Sequence, residues 1–515
     1  SNTNVLANKS VLSVNSADWQ VSAGVNAAND VIASFRNANF NTVSTTDSLV
    51  KVYGNADNFT LNISGDQSVL NAASNGWLID VGDASQAASS ATFNGSGGKY
   101  FGLSNVASNA SLTMNLTGSN TVWYLKAKGT SKTATVTELN LEDGATLNAS
   151  GTVTPGSQTI SMHDGYTFQA ADGSNLTTTA LTADNDFTLV GNVNNLSGVI
   201  DLAEEKDLNA LTQYVTTLTI DGDYTGGSNQ PTEAQPQPSG NGTLIVNTIW
   251  NNDNDSVSDS LHITGTATGY TEVKTKSGII GNVTQGATEK YSVAVVTVDN
   301  HQLDSHAFYG FADTTGAGQA ILVQQDANNY AWYLPVGSST VDPIKPEIPA
   351  YSLMPRANME LGFNILGTLH QRIGEQQTMA WDDCSECQTE HNSGQIWGRL
   401  LGNYSKNKGD DRFGYRSKMW GLQFGYDFDI NYDAENNSRR HTGMMLTYAK
   451  DNLKFNDTDY VTFDQNTGDY VSGNEQTGKG QSDMFALGVY STYYSEYGSS
   501  LDFVGQIDYT RNKYS

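Results

Sequence analysis

The chain of 515 residues carries 27 Lys and Arg against 54 Asp and Glu, a formal net charge of −27, with 37% hydrophobic and 16% charged residues. That balance excludes a nucleic-acid partner, because phosphate binding needs clustered cations. With 50 Gly and 9 Pro, the composition suits short strands joined by tight turns and excludes a large Leu-rich helical core.

No run of about 18 apolar residues is present, so no transmembrane helix is expected. The start at Ser1 is polar and lacks the basic and apolar regions of a signal peptide. Either such a leader has been removed or the sequence starts inside the protein.

Residues 1 to about 220 repeat a loose unit: an alternating apolar run, a Gly turn, then a second short run. Phe59-Thr-Leu-Asn-Ile-Ser-Gly65 leads to Val69-Leu70, and Leu112-Thr-Met-Asn-Leu-Thr-Gly118 leads to Val122-Trp-Tyr-Leu125. Leu139-Asn-Leu-Glu-Asp-Gly144, Ile160-Ser-Met-His-Asp-Gly165 and Leu218-Thr-Ile-Asp-Gly222 follow the same plan. The turn glycines are spaced by 53, 26, 21 and 57 residues, near one or two copies of a unit of roughly 20 to 30 residues, the size of one coil of a parallel β-helix. Alternation alone does not fix parallel pairing, so a sandwich stays open at this point.

A Gly-, Gln- and Pro-rich loop fills the stretch from Thr225 to Gly242. Strand patterning resumes at Thr243-Leu-Ile-Val-Asn-Thr-Ile-Trp250 and continues through Leu261-His-Ile263 and Tyr291–Val298 to Tyr330-Ala-Trp-Tyr-Leu334. Five of the nine prolines lie between Pro335 and Pro355, which reads as an extended linker and a domain boundary. Residues 356–378 then read as a helix, with Met359, Phe363, Leu366 and Ile373 at helical spacing. Gly362, Gly367 and Gly374 each weaken it by about 1 kcal/mol against Ala. Three such residues argue for a helix kept slim, as a narrow channel requires.

Cys384 and Cys387 form a lone Cys-Ser-Glu-Cys. A redox pair or half a zinc site would be its functional readings. With no second such motif and no thioredoxin-like context, a short local disulfide in an oxidising compartment is expected.

From residue 394 to residue 515, five stretches alternate apolar and polar residues at membrane-spanning length. Trp420, Leu422, Phe424 and Tyr426 share one parity, as do Phe485, Leu487 and Val489, and Leu501, Phe503, Ile507 and Tyr509. Gln423, Asp427, Gly488, Asp502, Gln506 and Asp508 share the other. This is the pattern of a lipid-facing band around a polar lumen; a sandwich with one wet face gives the same alternation. Tyr490, Tyr493, Tyr494 and Tyr497 are expected at the lipid–water boundary.

This order of parts resembles the type V autotransporters of Gram-negative bacteria, the pertactin-like and diffuse-adherence-adhesin-like group. The residues that carry the resemblance are Thr243 to Gly281, Tyr351-Ser-Leu-Met-Pro-Arg356, Leu369-His-Gln-Arg-Ile-Gly-Glu375 and Trp397-Gly-Arg399. The resemblance implies an all-β chain with a right-handed parallel β-helix passenger at 1–222 and an autochaperone cap at 223–335. A linker at 336–355 and a pore-spanning helix at 356–378 would follow, then the first part of an antiparallel transmembrane β-barrel at 394–515. It also implies partners: outer-membrane lipid, barrel assembly machinery, periplasmic chaperones and a host or bacterial surface receptor. Family barrels have twelve strands and five are legible here, so a fragment ending inside the barrel is expected. The Asn pair used for self-cleavage by some members is absent; Asn358 and Asn364 stand alone.

Catalytic signals are weak. No Gly-x-Ser-x-Gly elbow is present, and His163, beside a turn, reads as a surface residue. Asp253, Asp255 and Asp259 mimic a calcium loop but lack its Gly and terminal Glu, so a strand-connecting turn is expected. Asp184, Asp186 and Asp201, with Lys206, could be imagined as a lyase cluster, but read as turn and surface carboxylates. No cofactor, metal site or catalytic residue is expected. The preferred reading is a self-secreting, surface-displayed adhesin or self-association factor; the alternative is a carbohydrate-active enzyme on the same scaffold.

Overall fold

The computed structural model describes the chain outside residues 1, 6–9, 14–18, 24–29, 42–44, 47, 53–57, 151–185, 204–214, 229–239, 253–255, 301–305, 337–340, 374–394, 410, 434–437 and 496–497, and within it the side chains from residue 32 onward other than those of residues 41, 372, 373 and 432. His163, Asp184, Lys206, Asp253, Asp255, Tyr497 and the expected Cys384–Cys387 disulfide lie outside the described residues. Two units emerge: Ser1–Pro343 with Phe463–Tyr470, and Ile344–Thr462 with Val471–Ser515.

The first unit is a stack of parallel coils. On one face Asp30–Arg36, Asn58–Ser64, Ser89–Ser96, Ala110–Thr117, Thr133–Glu142, Asp186–Asn195 and Thr217–Asp221 pair in parallel, one after the next. A second face runs in step from Asn39–Asn41 through Val69–Asn71, Gly98–Phe101, Thr121–Tyr124, Thr146–Asn148 and Val199–Asp201. A third, shorter face comprises Val50–Val52, Ile79–Val81 and Ser104–Val106.

Register explains why these short strands hold. One inward column runs Ala33, Leu61, Phe93, Met114, Leu139, Val193, Tyr224 and Ala267. A second runs Phe40, Leu70, Tyr100, Trp123, Leu147, Ile200, Leu244 and Val273. Nearly all are fully buried, each large apolar member contributing about 1.5–3 kcal/mol of transfer free energy. No single coil could bury such a column, so stability lies in the stack.

The outward positions are knitted by amides. Asn62 Nδ2 donates to Ser34 Oγ at 2.9 Å, and Asn94, Asn115, Asn140 and Asn194 each donate to the Asn before them at 2.8 Å. The ladder follows the coil register, so identical side chains satisfy one another, with Ser34 and Glu138 as further acceptors.

The expected boundary at residue 222 is not a boundary in the pairing. Gly242–Trp250 pairs in parallel with both Val199–Asp201 and Thr271–Ile280, and Ser260–Ile263 with both Thr217–Asp221 and Lys290–Val298. The solenoid therefore runs into the region read as its cap. Within this region antiparallel pairing first appears where Gly242–Trp250 meets Ser256–Ser258, and it takes over from Phe308–Asp313 through Gln319–Gln324 to Asn329–Leu334. Trp250 and Trp332 are fully buried there, and Trp332 Nε1 donates to Thr248 Oγ1 at 3.0 Å.

The second unit holds a helix and a five-stranded antiparallel sheet in sequential order. Its strands are Gln395–Lys408, Phe413–Asp433, Ser438–Asp464, Asp469–Ser495 and Ser500–Tyr514. They are longer than the alternating stretches that announced them. Among the described residues no helix is long and apolar enough to cross a membrane, which says nothing of a β-barrel.

Helix α1 spans Ile348–Leu366, followed by the short α2 at Leu369–Ile373. It starts eight residues before the sequence reading placed it, inside the segment read as linker. Pro349 sits at a first-turn position, where its missing N–H costs nothing. Pro355 lies inside the helix, so proline density alone misplaced the boundary.

Candidate functional site

The site is the inner face of the five-stranded sheet, with α1 against it. Strand alternation puts Ile396, Leu400, Trp420, Phe424, Leu446, Phe485, Leu487, Phe503 and Ile507 on the outer face, all exposed. On the second strand the outer band from Trp420 to Phe428 covers about 26 Å at about 3.3 Å per residue, close to the hydrocarbon thickness a barrel wall must match. Exposed apolar surface on this scale has a physical explanation only in lipid or an interface.

The inner face is small, polar or packed on α1. Ala350, Met354 and Ala357 meet Tyr415, Leu453 and Phe455, and Leu361 and Ile365 meet Met419, Ala449, Met484 and Ala486. The buried stripe of the helix is therefore 350, 354, 357, 361 and 365. Of the expected stripe, Met359 is 57% and Phe363 66% exposed, whereas Leu366 packs against Trp397, Met445 and Tyr490, and the Ile373 side chain lies outside the described residues. Periodicity set the helix, but alanines at two of the five seam positions gave it little hydrophobic weight.

Polar contacts run the length of the helix. Ser482 Oγ donates to Asn358 Oδ1 at 2.9 Å, Asn407 Nδ2 to Glu360 Oε2 at 2.8 Å, and Asn403 Nδ2 to Asn364 Oδ1 at 3.0 Å. Asn358 and Asn364 are thus engaged with the wall. At the C-terminal end, Arg399 Nη2 donates to the carbonyls of Ile365 at 2.5 Å and Leu366 at 3.1 Å. Gln423 Nε2 reaches the Ile365 carbonyl at 3.2 Å and Thr447 Oγ1 at 2.7 Å. These carbonyls have no partner within the helix, and a cation there also suits the helix dipole.

Gly367 closes α1 at φ +64°, and a Cβ there would lie 2.6 Å from Arg399 Nη1. It is a helix cap, not an interior glycine as its spacing suggested. Gly362 is interior, and a Cβ would meet Asp508 Oδ2 at 3.3 Å. Gly374 lies outside the described residues.

Beyond the helix end, Trp397 Nε1 donates to the Tyr490 hydroxyl at 2.7 Å, and that hydroxyl donates to Asp427 Oδ1. His441 Nδ1 lies 2.9 Å from Asp427 Oδ2. Room for the two rings comes from glycine. A Cβ on Gly425 would sit 2.1 Å from Trp397 Cε2, and one on Gly443 2.4 Å from the Tyr490 hydroxyl. Tyr490 and Tyr494 are buried on the inner face and not at the lipid boundary as expected, whereas Tyr493 is exposed on the outer face.

The described carboxylates of the passenger that could carry chemistry take structural places. Asp259 is buried and its two oxygens accept the backbone N–H groups of Thr216 and Asn247, both at 2.8 Å. Asp201 Oδ1 accepts the Ala203 N–H at 2.9 Å, and Asp186 is exposed at the start of its strand. His441 has inward parity as its only signal in the sequence, and Arg399, part of the Trp397-Gly-Arg399 run, has no role legible from composition.

A family model described as the autotransporter beta-domain matches residues 396–515. The chain is 26% identical over 325 residues to the uncharacterized protein YuaQ of Escherichia coli strain K12, covering 60% of this chain and 20% of that protein. It is 30% identical over 225 residues to the probable autotransporter YfaL of the same strain, covering 41% of this chain and 16% of that protein. The chain thus spans about a fifth of the length of these curated relatives. No solved structure matches it.

Proposed function

We propose that this chain, a type V autotransporter by the β-domain it carries at residues 396–515, exports the coils of its own N-terminal part through that β-domain. The β-domain belongs to the outer membrane and the passenger to the cell surface.

The observation that carries the mechanism is α1. A helix bonded to the wall at Asn358, Glu360, Asn364 and its C-terminal carbonyls suits a tether that stays in the lumen after the chain has passed. Its opposite side, with Tyr351, Met359 and Phe363 exposed, suits cover by the rest of a closed wall. Open sheet edges are not tolerated in hydrocarbon. Insertion is assigned to barrel assembly machinery, with periplasmic chaperones guarding the chain in transit.

Folding of the passenger begins, in this reading, at residues 242–334, the pertactin-like autochaperone segment. Its parallel strands present the register on which the next coil pairs, and its antiparallel end closes the stack. Coils then add toward Ser1, each held by the columns already formed. The passenger serves as an adhesin or self-association factor, not an enzyme, through its long outward faces of Asn, Thr and Ser.

Protease added to intact cells should remove the coils and leave the β-domain in the membrane fraction; coils that resist until the cells are lysed would overturn export. Cells displaying the protein should also aggregate or adhere more than cells lacking it. Turnover of a polysaccharide by the displayed passenger would overturn the non-enzymatic assignment.

A further inference from the structure

The outer face of the β-domain carries a belt of cations that the overall charge does not foretell. Lys406 is the register partner of Arg416, and Arg416 that of Lys454. Three positive side chains thus sit side by side on three consecutive strands. Like charges directly opposite on one face destabilise a sheet. In a chain with twice as many carboxylates as cations, a neutralising residue would be easy to place. Asp411 and Glu475 border the same row in a neighbouring depression, yet among the described residues none of the three cations forms an ion pair.

The row borders a depression of about 600 Å³ on the same face. Arg416, Lys418, Lys454, Lys479 and Lys513 line it, and no Asp or Glu does. The twist of the sheet explains how an outer wall can be concave along its strands. Immediately below lie Tyr404, Trp420 and Tyr448, and then the apolar band. Lys418 Nζ stands 5.9 Å above the Tyr404 ring, and Trp420 packs edge-on against Tyr448 at 5.7 Å. From hydrocarbon outward, the order is apolar residues, an aromatic girdle, then cations.

The belt occupies one rim. Toward the other, the outer band ends at Tyr426 and Phe428, and Arg440 is paired with Asp429 at 3.5 Å. The third and fourth strands, of 27 residues each, run well past the apolar band on the cationic side. Barrel strands protrude toward the cell exterior and end in short turns on the periplasmic side, so the cationic rim lies at the outer leaflet.

The geometry points to a built-in site for phosphate-bearing headgroups of the outer leaflet, centred on Lys406, Arg416 and Lys454 with Lys418, Lys479 and Lys513 around it. Arg supplies a planar fork for phosphate oxygens, and Lys supplies point charges. A lipid phosphate held at this height keeps its acyl chains against the apolar band, which a free anion cannot do. The inference rests on the outer-membrane reading of the β-domain.

The test uses the full outer-membrane protein in phosphatidylcholine vesicles with and without lipid A, a bis-phosphorylated glycolipid. Wild type should retain lipid A through detergent extraction and unfold at a higher temperature in its presence. Lys406→Gln/Arg416→Gln/Lys454→Gln should lower its partition by about fivefold per cation, or about a hundredfold in all. The charge-conserving Lys406→Arg/Arg416→Lys/Lys454→Arg should retain most of it, which keeps the test valid if the neutral variant folds poorly. Equal retention by the neutral and charge-conserving variants overturns the proposal, as does full replacement of the effect by inorganic phosphate. Insertion is scored separately by heat-dependent gel mobility: a wild type that never inserts refutes the barrel reading and not the belt.

Discussion

Arg399 and Ile365 stand in a donor–acceptor relation that fixes the end of α1: a guanidinium from the first strand of the sheet donates to the carbonyl of Ile365 at 2.5 Å. The same side chain donates from Nε to Gln423 Oε1 at 2.7 Å, so the second strand orients the group that grips the helix. A short side chain at 399 could not span this gap.

Arg399→Ala should therefore loosen α1 without unmaking the sheet. A hydrogen bond to a charged group contributes about 1.5–3 kcal/mol, so the unseated helix should become roughly 10- to 100-fold more populated. Protein in planar bilayers should show more frequent openings than wild type while its gel mobility stays that of a folded barrel. Unchanged conductance would remove Arg399 from the tethering role.

Trp397 and Gly425 make the complementary case for packing. They are register partners, and the ring lies where a side chain at 425 would begin. Gly425→Val should displace Trp397 and break its bond to Tyr490, costing about 1–3 kcal/mol by overpacking and more where Asp427 loses its donor. The measurement is the temperature at which the folded gel band disappears, which should fall by several degrees, whereas Gly402→Val, open on all sides within 4 Å, should leave it near wild type.

The parity of the barrel strands was legible because lipid and lumen impose opposite chemistry on alternate residues. Phe424 and Phe485 are exposed while Gln423 and Gly488 are buried, as their alternation implies. Parallel coils were legible from recurring glycine turns, since Phe93, Met114 and Leu139 recur in one column. What failed were choices among neighbours that local pattern does not distinguish. The helix seam uses Ala350 and Ala357, which look neutral in a hydrophobic period. Tyr490 and Tyr493 look alike in sequence, and only the phase of the strand sends one to the lumen. That parallel pairing would continue past residue 222 was not legible, because a strand's alternation says nothing of whether its partner runs parallel.

The amide ladder predicts an energetic asymmetry between two outward positions of one strand. Asn115 donates to Asn94 and accepts from Asn140, both at 2.8 Å. Asn115→Ala removes two bonds in the middle of the ladder, at about 0.5–1.5 kcal/mol each, and leaves Asn140 without its acceptor. Thr113→Ala, two residues away on the same outward face, should stay within about 0.5 kcal/mol. Thermal unfolding of the passenger should register the first and not the second; equal effects would mean that the ladder is incidental.

The passenger should be sensitive to alkali for a reason that its core tyrosines make explicit. Tyr224 is fully buried, with Asn195 Nδ2 donating to its hydroxyl at 3.1 Å and that hydroxyl hydrogen-bonded to Thr271 Oγ1 at 2.7 Å. Burial pushes its pKa from 10.0 up to about 12, against the smaller opposing effect of those two bonds. A raised folded value means that the contribution is complete below the unfolded value of 10.0 and is lost as pH rises through about 12. The unfolded chain releases its proton first, and that release favours unfolding. Two units correspond to roughly 2–3 kcal/mol. Tyr100, buried in the neighbouring column, is shifted upward by the same desolvation and adds to the slope. At the acid end the sign reverses: the Thr266 N–H and hydroxyl hold Asp223 below 3.8, so its contribution is complete above 3.8 and lost as pH falls through its lowered value. Urea unfolding of the passenger should thus be flat near neutrality and steepen above pH 10. Tyr224→Phe should start less stable, because Asn195 and Thr271 lose a partner, yet lose less between pH 10 and 12 than wild type does. Parallel curves for the two proteins would show that Tyr224 does not titrate with unfolding.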